Sequence, residues 1–253
     1  MKKIEKLKLE NISTTYYSGE KKLAVLENMS LNVSPGEFVS VLGPSGSGKS
    51  TILKIAAGLL KPDSGKVWID GEDVTGLPQL IGYMPQQDHL FPWKTTWQNA
   101  ALPLLAEGMS KKEAYIQVSE MLSLFGLEGF ADYYPYQLSG GMRQRAALLR
   151  TMLIDSNIML LDEPFAALDA LTREQMQDWL LGIWESFRRS VLFVTHSIDE
   201  AIYLSDRVYV ITGRPGRNAI EQNIELERPR NRRLITTRDF TLYKQILVSA
   251  LAS

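Results

Sequence analysis

Eight consecutive residues, Gly43-Pro44-Ser45-Gly46-Ser47-Gly48-Lys49-Ser50, fit the pattern G-x-x-x-x-G-K-[ST]. The pattern constrains the fold tightly, because it works only as a loop between a strand and a helix. Both flanks agree: the apolar run Glu37–Leu42 precedes it, and Ile52, Leu53, Ile55 and Ala56 follow at helical spacing. The glycines let backbone N–H groups turn inward around phosphate oxygens. A helix starting near Lys49 adds its unpaired amides and the positive end of its dipole. In such a loop Lys49 reaches the β- and γ-phosphates of a nucleotide, the Ser50 hydroxyl ligates Mg²⁺, and Thr51 lies in the same nucleotide-contacting stretch. The expected ligands are a nucleotide and Mg²⁺. The competing reading is a Gly-rich turn with no chemistry.

Three further apolar runs read as strands: Ile158–Leu161, Val191–Thr195 and Val208–Ile211. They are nearly continuous and rich in β-branched residues, as strands of a parallel sheet buried on both faces must be. Between them Ser110-Lys111-Lys112-Glu113 reads as a capping box, followed by Ala114, Val118, Met121, Leu122 and Phe125 on one apolar stripe. Thr172-x-x-Gln175 and Ser197-x-x-Glu200 are expected to open two more helices in the same way. Alternating strands and helices imply an α/β fold with a parallel sheet. The whole chain, 1–253, reads as one domain, with an α/β core at about 1–87 and 156–253 and an inserted helical subdomain at about 88–155.

Two of the buried runs end in polar groups, Asp162-Glu163 after one and His196 after another. Ligands of open parallel sheets bind beyond the carboxyl ends of the strands, which makes these residues candidates. Asp162 suits Mg²⁺, a hard cation that prefers oxygen. Glu163 can orient and deprotonate an attacking water, and His196 can hold the γ-phosphate and that water in line. His89 has no such context and reads as an ordinary loop residue.

The bulk properties exclude other classes. Net charge is −1, so no overall field holds the chain on nucleic acid. The longest apolar stretches, such as Ala100–Ala106, fall far short of the ~20 residues a membrane span needs. The start of the sequence lacks the apolar core of a secretory signal. With no cysteine there are no disulfides or thiolate metal sites. A cytoplasmic location is expected.

Leu138-Ser139-Gly140-Gly141-Met142-Arg143-Gln144-Arg145 precedes a helix-favouring run. Ser139 is a natural N-cap, and Gly140 and Gly141 expose the first amides of that helix. Read from the residues alone this is a capped helix start or a second anion site. The stretch resembles the signature motif of the ATP-binding cassette (ABC) family. Other family elements follow in order. Tyr16 resembles the aromatic that stacks on adenine, with Tyr17 as its rival. Gln86 resembles the glutamine that senses Mg²⁺ and the γ-phosphate, Ala167-Leu168-Asp169 the loop that crosses to a partner subunit, and His196 the switch histidine. The resemblance implies a P-loop NTPase fold with a RecA-like core, ATP hydrolysis, and a head-to-tail homodimer. In that dimer each nucleotide lies between the phosphate loop of one copy and Ser139, Gly140 and Gly141 of the other.

Two segments bear on the kind of cassette. Phe91-Pro92-Trp93-Lys94-Thr95-Thr96-Trp97 is either a satellite core under a loop or an exposed groove for a helix of a membrane subunit. The tail Val208-Tyr209-Val210-Ile211-Thr212-Gly213-Arg214-Pro215-Gly216-Arg217, with Arg228-Pro229-Arg230, resembles the nitrate/sulfonate/taurine branch of importers. This implies transmembrane permease subunits as partners, an extracytoplasmic solute-binding protein served indirectly, and a peripheral position on the inner face of the cell membrane. The basic run Arg228–Arg233 is expected to be a solvated mixed-charge surface. An exporter ATPase and a soluble non-transport cassette protein are the alternatives. The short interval between Lys49 and Ser139 leaves no room for the long insertion the latter would need.

Overall fold

The computed structural model describes residues 5–19 and 21–252. In chain order the strands are β1 (Leu7–Ser18), β2 (Lys21–Val33), β3 (Phe38–Leu42), β4 (Ser64–Ile69), β5 (Glu72–Asp73), β6 (Gly82–Met84), β7 (Ile158–Asp162), β8 (Ser190–Thr195), β9 (Arg207–Thr212) and β10 (Arg217–Asn223). The α-helices are α1 (Lys49–Ala56), α2 (Thr96–Ala100), α3 (Leu102–Ala106), α4 (Lys111–Leu122), α5 (Gly140–Met152), α6 (Ala170–Phe187), α7 (Ile198–Leu204) and α8 (Arg238–Ala252). The chain forms two compact units, one running up to Gln79 and resuming at Gln177, the other Leu80–Met176.

In the first unit β3 lies between β8 and β9 and is parallel to both, with Leu42 opposite Thr195 and Val210. Strand β10 runs antiparallel on β9. Every residue of β3 and β8 is buried, which is why these strands read as unbroken apolar runs. Phe38 meets Trp184 edge-on at 5.7 Å and Phe193 at 5.7 Å, anchoring the core beneath the sheet. A separate antiparallel ladder, β2-β1-β4-β5, was not foreseen. Its signal is the period-two burial of Leu7 and Leu9 and of Met29, Leu31 and Val33.

In the second unit β6 and β7 pair in parallel, with Met84 opposite Leu161. The segment 88–155 is helical: Ser110 Oγ accepts from Glu113 N–H and the Glu113 carboxylate accepts from Ser110 N–H, closing the expected capping box. Ala114, Val118, Leu122 and Phe125 are buried below it.

Three expectations are corrected. Helix α6 begins at Ala170, not Thr172, because the Asp169 carboxylate accepts the Thr172 N–H at 3.0 Å and takes the cap position. At α7 the Ser197 hydroxyl caps as expected, but Glu200 does not close a box. It is buried and accepts instead from Thr195 Oγ1 at 2.5 Å and Gln177 Nε2 at 2.9 Å. The basic run Arg228–Arg233 is solvated only in part: Arg233 is exposed, but Arg228, Arg230 and Arg232 turn inward. Arg230, only 6% exposed, donates to the carbonyls of Ile202, Tyr203 and Ser205 at 2.8–3.0 Å, closing the C-terminal end of α7. Arg228 pairs with Asp206 at 2.8 Å and lies over Trp184, and Arg232 pairs with Asp178 at 2.8 Å and lies over Tyr203. A buried guanidinium is tolerated because its donors meet carbonyl dipoles that the helix leaves unpaired.

Candidate functional site

The phosphate loop leaves β3 and enters α1. Pro44, Ser45 and Gly46 form its exposed tip, while Gly43, Ser47 and Lys49 are buried and Gly48 and Ser50 are half-buried. Lys49 Nζ donates to the carbonyls of Gly43 at 2.9 Å and Pro44 at 3.0 Å, so the ammonium is held inside the turn. Gly48, at φ 94, caps α1, and a Cβ there would lie 2.6 Å from Leu26 Cδ2. At Gly43 a Cβ would lie 2.5 Å from the Ile211 carbonyl. Both positions therefore require glycine, one for its conformation and both for space.

These features fit a polyphosphate. The helix start presents backbone amides, its first turn carries no acidic residue, and an ammonium stands beside them. Ser47 Oγ is buried with no hydrogen-bond partner among the described residues, an unmet group that a phosphate oxygen satisfies.

Tyr16 on β1 reaches the same region. Its hydroxyl is 3.1 Å from Thr51 Oγ1, which ties the ring to the first turn of α1. Tyr17 lies 64% exposed beneath the Lys22 ammonium. Successive residues on a strand face opposite ways, so only one of the two tyrosines can serve α1. His196 follows β8 directly. Because Leu42 pairs with Thr195, His196 and Gly43 leave neighbouring strands at one level. The imidazole is exposed, but the turn beneath it is fastened: Thr195 Oγ1 accepts Ser197 N–H at 3.0 Å and donates to buried Glu200.

In the second unit the same logic brings Gln86, Asp162 and Glu163 together. Met84 pairs with Leu161, so Gln86 and the two acids lie at the carboxyl ends of adjacent parallel strands. Gln86 Nε2 donates to Glu163 Oε2 at 3.5 Å. Asp162 is buried beside Tyr83, whose phenol is pushed up to about 12, first by burial and then by the Asp162 charge. Glu163 adopts φ 44, a left-handed conformation that costs a side chain of this size about 1–3 kcal/mol. Such strain persists only where the surroundings impose it. Among the described residues no three carboxylates or histidines gather into a metal cage. A single buried carboxylate such as Asp162 suits Mg²⁺, which takes few protein ligands and keeps water and phosphate oxygens in its shell.

Ser139 is the N-cap of α5, accepting from Met142 N–H at 3.3 Å, and is itself exposed beside Gly140, with Gly141 buried. Leu168 packs against Gly140, and Arg173 holds the Leu168 carbonyl at 2.7 Å. Asp169 is exposed, and the Thr172 N–H bond holds its carboxyl below the usual range. Sequence reasoning missed how α5 grips the loop after Gln86. Arg150 donates to the carbonyls of Asp88 at 2.7 Å and His89 at 2.8 Å, and Arg143 pairs with Asp88 at 3.3 Å. It also missed Arg214, which donates to the Ser45 carbonyl at 3.0 Å. The only available signal was an arginine between turn residues.

The Phe91–Trp97 segment is not a closed satellite core: Phe91 is 40% and Trp93 69% exposed, their rings 5.2 Å apart. Buried Asn99 supports them from below, donating to the carbonyls of Phe91, Lys94 and Thr95 and accepting Phe91 N–H.

Comparison with known proteins agrees with this geometry. The ABC transporter family profile matches residues 26–166. An uncharacterized ABC transporter ATP-binding protein of Methanocaldococcus jannaschii is 47% identical across 97% of this chain and 91% of its own length. An aliphatic sulfonates import ATP-binding protein of Bacillus cereus is 43% identical across 87% of each. The solved dimeric structure of a bacterial ABC transporter cassette superposes with a TM-score of 0.77 at 36% identity, covering 87% of this chain and all of that one. A dimeric post-hydrolysis state of an ATP-binding cassette with ADP and Pi gives 0.76 at 36% identity, with the same coverage.

Proposed function

The chain belongs to the ABC transporter family as an ATP-binding, ATP-hydrolysing subunit, and from that premise we propose that it energises an importer for a small solute of the nitrate, sulfonate or taurine type. The import-subunit relatives and the Val208–Arg217 tail support the direction of transport. It acts as one cassette domain with a helical subdomain at about 88–155, peripheral on the cytoplasmic face of the membrane. No helix among the described residues is long and apolar enough to cross a bilayer, so permease subunits must supply the pathway. An external solute-binding protein delivers the cargo.

The observation that carries the chemistry is the Gln86–Glu163 contact at the end of β7. Lys49, the amides of residues 46–51 and the Ser45 and Ser47 hydroxyls bind the phosphates, and Tyr16 stacks on adenine. Ser50, Asp162 and Gln86 are the residues that would hold Mg²⁺, and the ion would supply neutralisation of the triphosphate's charge. Glu163 accepts a proton from water as the water oxygen bonds to the terminal phosphorus. The bond to the bridging oxygen breaks, and ADP leaves with the electron pair. His196 keeps the water and the terminal phosphate in line. Ser139, Gly140, Gly141 and Asp169 act in a head-to-tail homodimer, where the N-terminus of α5 faces the nucleotide of the other copy.

The exposed Phe91–Trp93 pair is the docking point for a permease helix. The test is co-expression with a multi-spanning candidate permease. The parent chain co-purifies with it and drives solute uptake into proteoliposomes, while Trp93→Ala loses co-purification and keeps basal ATPase activity. Solute efflux instead of uptake, or full co-purification of Trp93→Ala together with Phe91→Ala, overturns the importer or docking reading respectively.

A further inference from the structure

The end of β9 and the turn joining it to β10 meet the phosphate loop at three points. The Ile211 carbonyl occupies the place a Cβ on Gly43 would take, and Gly216 lies so close to the Ser47 carbonyl that it too admits no Cβ. Between them, Arg214 Nη2 donates to the Ser45 carbonyl at 3.0 Å, and its guanidinium fills the space beside Gly46. The turn does not drift on the surface. Gly216 N–H donates to the Val25 carbonyl at 2.8 Å and its own carbonyl accepts Glu27 N–H at 3.0 Å, so it is fixed to β2. An anchored turn thus places a permanent cation against the tip of the loop.

We propose that Arg214 is a nucleotide-positioning residue, which holds the Ser45–Gly46 peptide in place and adds a second positive charge for the triphosphate. This rests on reading Gly43–Ser50 as the phosphate loop. The Ser45 carbonyl and Gly46 N–H belong to one peptide group. A charged donor on the carbonyl polarises that group and makes its N–H a stronger donor to phosphate. Guanidinium is suited to this place because it keeps its charge at every physiological pH. Position 46 is glycine for its conformation, since at φ 81 any side chain would be strained. Arg214 is exposed, so its field is screened by salt, unlike that of buried Lys49.

The experiment is calorimetric titration of the full chain with MgADP, and steady-state ATP kinetics, at low and high salt. Parent, Arg214→Met, Arg214→Lys and Lys49→Ala are compared, with thermal midpoints without nucleotide as the folding check. Arg214→Met is expected to weaken MgADP binding and raise KM for ATP by about two- to fivefold at low salt, with kcat changed less. The difference shrinks at high salt, and Arg214→Lys recovers part of it. Unchanged affinity in Arg214→Met overturns the proposal. So does a loss that is insensitive to salt and not rescued by lysine, since that marks a merely structural strap. If Lys49→Ala binds MgADP like the parent, the phosphate-loop reading itself fails, whatever Arg214 does.

Discussion

Gln86 Nε2 stands 3.5 Å from Glu163 Oε2, a long hydrogen bond between the ends of two adjacent parallel strands. The contact brings the amide of one strand end against the carboxylate of the other. Glu163→Gln keeps the shape but cannot take the proton. It is expected to bind MgATP normally, to accumulate as an ATP-bound dimer, and to turn over ~10²-fold more slowly or worse. Phosphate release and size-exclusion chromatography with ATP check this, and near-parental turnover would remove Glu163 from the base role.

The φ of 44 at Glu163 makes a second, independent prediction. Asparagine tolerates the left-handed region far better than glutamate. Glu163→Asn is therefore expected to be more stable than the parent by about 1 kcal/mol while losing hydrolysis. Urea melts of both proteins, without nucleotide, decide it; a less stable variant contradicts the strain assigned here.

Glu200 accepts from Thr195 and Gln177, and Gln177 accepts in turn from Arg232 at 2.9 Å. The chain of bonds ends one residue before His196. Glu200→Ala leaves buried donors unmet and should cost about 2–3 kcal/mol. Glu200→Gln keeps the volume but weakens the short Thr195 bond. It is expected to lower kcat with little change in KM, because it loosens the turn beneath His196 and not the phosphate loop. Equal kcat in parent and Glu200→Gln would separate this cluster from catalysis.

Arg230 satisfies several carbonyls at the end of α7. Arg230→Met leaves them buried and unpaired, at a cost of about 3 kcal/mol or more. Lysine does not rescue it, since one ammonium cannot span the carbonyls a fork reaches. Denaturant melts of both variants test this; a lysine variant as stable as the parent would show that charge alone suffices.

The Asp169 cap gives a pH dependence whose sign follows from its lowered carboxyl value, caused first by the Thr172 N–H bond. An acid depressed in the folded state contributes stability at pH above its unfolded value, near 3.8, and loses it as pH falls through the folded value. The thermal midpoint of Asp169→Ala should therefore lie below that of the parent at neutral pH, with the gap closing under acid. A gap that stays constant into acid would argue against the charged cap.

The phosphate loop, the signature stretch and the three buried runs were legible in the chain because their physics is local. A loop of glycines before a helix, a serine before GG and an unbroken run of β-branched residues each state their conformation within a few positions. The polar ends of the runs were legible for the same reason, since a strand delivers whatever follows it to its own end. The β1–β2 ladder could have been read from its alternation, but bulges break the period between Leu9 and Thr14 and around Asn28.

By itself, then, the sequence determined the loop, the helix starts after Ser110 and Ser139, and the order of the chemical groups. Tertiary structure alone decided which arginines are buried, what Glu200 holds and where Arg214 rests. Arg214 meets Ser45 across 169 positions, and Arg230 turns inward only because α7 ends where its guanidinium can reach the carbonyls. The reason is that a charged side chain carries the same local signal whether it faces water or a carbonyl. Its environment is created by segments that become neighbours only on folding.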